Sequence, residues 1–365
     1  MTRRSLLPLF ALTLVLLSCA RKPGDTSPKS GLTDADASVS SGSDAPSGWY
    51  YFSKGGIHQA ASSAAIPPAG FVPWTEATRV VDMTEIQGKP AFLINKLGIM
   101  VGGAGASLYR LPEAYASSTL GGFVREDGQT GIRAYRNTTF SEASAPFPGP
   151  FLLRFFPETG RFDPWALPAD LGANPESMCV ALDRIGAMWY ASFKRERDAR
   201  VEFLYLEFER FPSGQAGGET PAVRVINADA WRSAVRPFSI AELPEPLARL
   251  FDSIPPTAAL TVRARAKDAH AAQTWAREGP GEPIAAEAIV SDAGAAALFQ
   301  DGTFVVRTDA DSRAFKLPRL AAGYSYGCFM ITGSTLLAAW EERRFFETGR
   351  AGLLEIALPD GIYWE

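Results

Sequence analysis

The chain has 365 residues, 46% hydrophobic and 21% charged, with a formal charge of −4. That balance provides apolar material for a large core and excludes wholesale disorder. The mild acidity argues against sequence-independent nucleic-acid binding, which depends on neutralising phosphates.

The first residues read as a targeting segment rather than part of a fold. "MTRRS" is a basic head, and "LLPLFALTLVLL" (6–17) is an apolar run of twelve residues. A bilayer span needs about 20 such residues, so residues 1–18 are expected to be a secretory signal peptide. Losing Arg3 and Arg4 with it takes the charge from −4 to −6. The run ends in Leu16-Leu17-Ser18-Cys19, which resembles the lipobox of bacterial lipoproteins. The resemblance covers about twenty residues, at a position where such motifs are specific. It implies transfer of diacylglycerol to Cys19, cleavage before it, acylation of the new amino terminus, and membrane attachment through the lipid. Ala20 fits outer-membrane sorting as enterobacteria practise it, which favours the outer over the inner membrane and leaves the leaflet open.

Residues 19–47 follow as a lipidated cysteine and a tether of Ser, Asp, Ala, Gly and Pro with almost no large apolar side chain. Such a composition cannot offset the entropy of ordering, and a coil of this length reaches about 30 Å. The folded domain is expected over 48–365, opening at "GWYYF" (48–52).

From there short runs rich in Val, Ile, Phe, Tyr and Trp alternate with Gly, Asp and Pro, a β pattern. Hairpins are predicted around Gly56, Gly98, Gly128, Gly186, Gly294 and Gly333, and at Lys267-Asp268, seven in all. A second signal is an extended apolar stretch closed by proline: "SLYRLP" (107–112), "FDPWALP" (162–168), "YLEFERFP" (205–212), "SRAFKLP" (312–318) and "LLEIALP" (353–359). Proline lacks the N–H of a ladder and belongs at strand ends and sheet edges. Each stretch therefore reads as the outer strand of a four-stranded unit, and the closing prolines are spaced by 56, 44, 106 and 41 residues, about 49 per unit when the 106 gap counts as two. All-β units of that length point to a β-propeller of six or seven four-stranded blades, seven being favoured by the hairpins. The alternative is a β-sandwich pair. The stretches "CVALDRIGAMWYASFKRERDARVEFLYLEF" and "CFMITGSTLLAAWEERRFFETGRAGLLEIAL" match each other best, which favours repetition. In this the domain resembles β-propeller lipoproteins in general, without a repeated Trp-Asp pair or other sharp blade signature. A propeller must join its ends, so "IYWE" (362–365) is expected beside "WYYF" (49–52).

Residues 227–255 break the pattern. Leu247, Leu250, Phe251 and Ile254 form a helical stripe, and Pro244 and Pro246 suit only a first turn, so a helical insertion is predicted. Trp231, Phe238, Leu247 and Phe251 become candidates for the rim of a binding site over one end of the propeller, or else plug a gap between blades.

No catalytic constellation emerges. With His58 and His270 alone and Cys179 and Cys328 in apolar strands, a zinc site is not available and no metal or cofactor is expected. No nucleophile motif flanks either histidine. Asp309 and Asp311 lack the glycine and closing glutamate of a calcium loop. "GGAG" (102–105) lacks the Lys-Ser/Thr of a phosphate loop. Cys179 and Cys328 read as buried free thiols. The basic loops around Arg195, Arg197, Arg200 and around Arg343, Arg344 occupy matching places in two repeats and could receive an anionic group, or serve as solvated tips with their own carboxylate partners. The reading is a cell-envelope lipoprotein, a binding or scaffolding module more than an enzyme, with envelope proteins or an anionic ligand as partners and no nucleic acid. The alternative is a secreted hydrolase acting on glycans or other polymers, which needs two carboxylates at a set separation.

Overall fold

Short strands broken by glycine, aspartate and proline give an all-β chain in the computed structural model. It describes residues 48–359 other than 54–55, 61–78, 96, 103–105, 116–117, 127–128, 137–150, 167–176, 198–199, 212–221, 268–271, 282, 293, 309–310 and 343–350. Signal peptide, Cys19, tether, His270, Asp309, Arg343, Arg344 and "IYWE" therefore lie outside the described residues.

Strands β1 (Gly48–Ser53) and β2 (Gly56–Ala60) form a hairpin. Three antiparallel four-stranded meanders follow. The first is β3 (Val80–Ile86), β4 (Lys89–Ile94), β5 (Gly98–Val101) and β6 (Ser107–Arg110). The second is β7 (Ser118–Glu126), β8 (Gln129–Arg136), β9 (Phe151–Phe156) and β10 (Arg161–Ala166). The third is β11 (Ser177–Ile185), β12 (Met188–Arg197), β13 (Arg200–Phe208) and β14 (Val223–Ile226). The predicted insertion comes next, as helix α1 (Ala228–Val235), β15 (Phe238–Ser239) and helix α2 (Glu245–Phe251). A seven-stranded sheet then joins β16 (Leu260–Ala266) and β17 (Gln273–Arg277) to the meander β18 (Ile284–Ser291), β19 (Gly294–Phe299), β20 (Thr303–Thr308) and β21 (Ser312–Lys316), in the order β15-β17-β16-β18-β19-β20-β21. The last sheet holds β22 (Tyr324–Thr332), β23 (Thr335–Glu342) and β24 (Ala351–Ala357), with β1 and β2 added beside β24.

All seven predicted hairpins are antiparallel strand pairs. Gly186 and Gly333 sit in two-residue turns with positive φ, 59° and 57°, where glycine escapes the Cβ clash. Seven hairpins do not, however, make seven sheets. The described strands form five. The hairpin at Gly56 and that at Gly333 share the last sheet. The hairpin β16–β17 fuses to the one at Gly294, because β16 pairs in parallel with β18 along its whole length, Leu260↔Ile284 to Ala266↔Val290. Nor do all five proline-closed stretches end outer strands. Those in β6, β10 and β21 do, whereas β13 and β24 are third strands, and the fourth place goes to β14 and to β1. Proline marks the end of a strand and says nothing about which strand it is.

The first and last described strands share one sheet, while "IYWE", the expected partner of "WYYF", lies outside the described residues. β1 pairs with β24 (Gly48↔Glu355, Trp49↔Leu354, Tyr50↔Leu353, Tyr51↔Gly352), upstream of "IYWE". β24 is buried on both faces, with Leu353, Leu354 and Ile356 all in the core.

Successive sheets pack on one another. β3 meets β7, β8 meets β11, β18 and β19 meet β22, and β22 meets β3. The insertion links the remaining pair in sequence: α1 lies on β11, β12 and β13, and α2 on β19 and β20. Apolar clusters fill the spaces between the packed sheets. Phe92, Met100, Phe329 and Trp340 share one, Leu93, Phe123 and Leu153 another, Trp189, Phe193 and Phe208 a third.

The sheet shared by β1 and β24 is packed to the limit at Gly352. A Cβ built there would fall inside the indole of fully buried Trp340. Gly352→Ala should lower stability by about 1–3 kcal/mol through overpacking, seen as a lower midpoint in urea with an unchanged slope.

Candidate functional site

Four of the five sheets begin on a strand with the same irregularity. β3 is bulged between Val80 and Asp82, β7 between Leu120 and Gly122, β11 between Cys179 and Ala181, and β22 between Tyr326 and Phe329. A bulge removes a residue from the ladder, increases the local twist and re-aims its neighbours. β3 lies against both β7 and β22, so the bulges of these three strands bring backbone polar groups that the ladder does not use into one place.

Side chains from β3, β8 and β16 occupy it. Asp82 on β3 is only 4% exposed. Its Oδ1 accepts from the Met83 N–H at 2.9 Å, and its Oδ2 accepts from the Phe123 N–H of β7 at 3.1 Å. Arg265 on β16, 9% exposed, donates from Nη1 to Asp82 and from Nη2 to the carbonyl of Phe329 on β22. One ion pair thereby ties β3, β7, β16 and β22. Arg133 on β8, also buried, donates from Nη2 to the carbonyl of Gly121, the residue that the β7 bulge leaves unpaired, and from Nη1 to Asp183 at 3.1 Å. Arg263, two residues from Arg265 on β16, donates to Glu287 of β18 at 3.2 Å.

Gly122 lets these groups converge. Its φ is +129°, and a Cβ there would lie 3.0 Å from Arg133 Nη2, 3.0 Å from Asp82 Oδ2 and 3.6 Å from Arg263 Nη2. Exposure grades across the cluster. Asp82, Arg265 and Arg133 form a floor, while the side chains of Arg263 and Glu287 remain 28% and 29% exposed and Asp183 is half exposed. The Glu287 carboxylate holds the Arg263 guanidinium well above its ordinary pKa, against the opposing effect of burial and with help from Asp82. Cys328, in the β22 bulge, is buried and free, and its Sγ donates to the Val80 carbonyl at 3.5 Å. Burial, then the Asp82 charge, pushes its thiol far up, so it stays protonated and inert.

Chemically, this hub can hold structure and can receive an anion at its open side. Asp82 accepts three hydrogen bonds, which commits it to structure. The sequence does carry a trace of it. "VVDMTEI", "GIRAY" and "LTVRARA" each place a charge inside an otherwise apolar strand, where a charge persists only if it is paired. The hairpin prediction absorbed "LTVRARA" without using its arginines.

The residues singled out from sequence lie elsewhere. Arg195 and Arg197 are at the far end of β12, with Arg197 opposite Arg200 in register. Trp231 is on α1, its ring tilted against Tyr205 at 5.1 Å. Phe238 packs on Trp275 at 6.0 Å. Leu247 and Phe251 are buried with Leu250 and Ile254 against β16, β18 and β19, so that part of the insertion is core and is covered by the sheet. The stripe is apolar on the face that meets the sheet, and helical periodicity cannot distinguish burial by the chain's own sheet from burial by a partner.

Residues 38–360 match the family described as "Family of unknown function (DUF8086)", and the chain belongs to that family. An "Uncharacterized lipoprotein" of Treponema pallidum (strain Nichols) is 27% identical over 377 residues, spanning 84% of this chain and 86% of its own. Among solved structures, "YCF48 bound to D1 peptide" is 6% identical, with 78% of this chain and 79% of that one covered at a TM-score of 0.28. The computationally designed Ika8 protein is 8% identical, with 78% and 98% covered at a TM-score of 0.31.

The hub yields two expectations. Asp82→Asn strips the charge that compensates buried Arg265 and should cost about 3–5 kcal/mol, the usual penalty for breaking a buried pair from one side. Adding Arg265→Met should recover part of that loss, so the two denaturation midpoints will not be additive. Second, in the native protein the peptide carrying Cys328 should resist maleimide at pH 8 and label fully in denaturant, as read by mass spectrometry.

Proposed function

We propose that this chain is a cell-envelope lipoprotein, anchored through lipid on Cys19, whose domain is a β-propeller serving as a binding or scaffolding module. The observation that carries the reading is the Leu16-Leu17-Ser18-Cys19 sequence, together with a relative of matching length that is itself a lipoprotein. Residues 1–18 are then the signal peptide, 19–47 the tether and 48–365 the domain, with the outer membrane favoured.

The run of sheet-to-sheet contacts, from the third meander back through β3 and β22 to β18, supports the propeller. The strand supplied by β1 takes the fourth place in the last sheet, so that the first and last described strands share it. On this reading five blades are complete, and β16 with β17 is a reduced sixth, fused to its neighbour through β16 and β18. That arrangement replaces the seven blades favoured by the hairpin count.

Sheet edges and projecting loops on a rigid scaffold are where partners would be met. The third meander carries the clearest such surface. Val201 and Phe203 are about half exposed (51% and 46%) at the end of β13, beside the Arg197–Arg200 hairpin and the Trp231-bearing helix. This supports contact with an envelope protein.

Cys19→Ser should abolish lipidation and move the protein from the detergent to the aqueous phase on phase partitioning. Partitioning identical to that of the wild type would overturn the anchor. Affinity capture of the intact lipoprotein from its own envelope, with Phe203→Ser alongside, tests the module: partners lost in that variant with the melting curve unchanged would locate the contact on β13.

A further inference from the structure

The hub has more donors than acceptors. Three guanidiniums, Arg133, Arg263 and Arg265, meet two carboxylates, Asp82 and Glu287, with Asp183 at the half-exposed outer end. Arg265 is fully engaged in holding strands together. The other two are not. Arg133 Nε is buried and finds no acceptor, although its side chain is more than nine-tenths enclosed. Arg263 gives Nη1 to Glu287, and among the described residues none accepts from its Nη2.

These two open donors belong to neighbouring groups. Arg133 Nη2, itself bonded to the Gly121 carbonyl, and Arg263 Nη2 lie 3.0 and 3.6 Å from the same point beside Gly122, with Asp82 Oδ2 also 3.0 Å from it. The charges balance, three guanidiniums against Asp82, Glu287 and Asp183, and what is left over is donor capacity. It is gathered at the partly open side of the hub, where Arg263 and Glu287 are still 28% and 29% exposed. A guanidinium offers a planar fork of donors that matches carboxylate and phosphate oxygens. A buried donor left without a partner is costly, and a ligand oxygen removes that cost.

We propose that the hub binds a small oxyanion, the carboxylate or phosphate end of a ligand, on the unoccupied edge of Arg263 with Arg133 behind it. Glu287 competes for the same guanidinium and sets the affinity. Asp82 and Arg265 form the fixed floor and do not touch the ligand. This deepens the reading of the domain as a binding module and rests on it. It also differs from the basic loops at Arg195 and Arg343, because these arginines are held by strands.

The test is calorimetric titration of the full lipidated protein in detergent, at constant ionic strength, with sodium acetate and with inorganic phosphate. Saturable binding of at least one anion is expected, and whichever binds more tightly identifies the ligand's end group. Arg263→Gln should weaken it by about tenfold or more, the loss of a charge-assisted hydrogen bond. Arg232→Gln, on exposed α1, should change it by less than about twofold, as expected for simple screening. Glu287→Gln should tighten binding several-fold by freeing Arg263. That gain is one a purely structural role would not produce, and it decides the matter should Arg263→Gln fail to fold. Absence of saturable binding by either anion would overturn the site, as would an Arg263→Gln affinity equal to wild type, or a Glu287→Gln variant that binds no better. A failed titration with partner capture intact would remove the site and leave the envelope module standing.

Discussion

The buried pair of Asp82 and Arg265 is the interaction on which the arrangement of sheets depends. Apolar packing is non-directional and would let neighbouring sheets slide. The pair is directional. Its carboxylate takes backbone N–H groups from β3 and β7, and its guanidinium takes the carbonyl of Phe329 on β22. Four strands from four places in the sequence are thereby fixed in mutual register at one point. Two desolvated charges add little net stability against a well-packed apolar alternative. What they contribute is specificity, because any displaced arrangement leaves a charge buried and alone.

The bulges make this possible. In a regular ladder the Gly121 carbonyl would be consumed by the partner strand. The extra residue in β7 releases it, and Arg133 claims it. The first strands of the meanders are where sheets face one another, so a bulge there converts backbone into side-chain binding groups at the centre of the domain. The remaining sheet reaches the same place differently. β18 has no bulge and instead pairs in parallel with β16, which carries Arg263 and Arg265 inward. The parallel pairing of the β16–β17 hairpin with β18 and the provision of the two arginines are therefore one feature of the fold.

Much of the architecture was legible because turns and strands leave local marks. Glycine at hairpin centres and proline at strand ends are consequences of backbone sterics, and every predicted hairpin formed. Sheet membership was not legible, since it depends on which edges meet across the chain. Two neighbouring hairpins look alike whether they stand apart or join through β16 and β18. The Leu247–Phe251 stripe gave the helix correctly and its burial ambiguously, for the same reason. The hub was half visible. Arg263 and Arg265 alternate with Val262 and Ala264 in a strand too apolar for its charges to be solvated, yet nothing local names Asp82, 183 residues away, as the partner.

Charge distribution connects the hub to the rest of the molecule. The chain is acidic as a whole, so its far field does not attract anions, and fields beyond about 8 Å are screened at physiological salt in any case. The three paired arginines of the hub lie in a partly enclosed cluster, where screening is weak and pairing is strong. A site built this way selects by contact geometry instead of long-range steering. Its donors are set on β16, which the Asp82–Arg265 pair fixes directly, and on β8, the ladder partner of β7, which the pair also holds. The same strands that hold the sheets together therefore hold the open guanidinium still, and the entropy of ordering it is lost in folding rather than in binding.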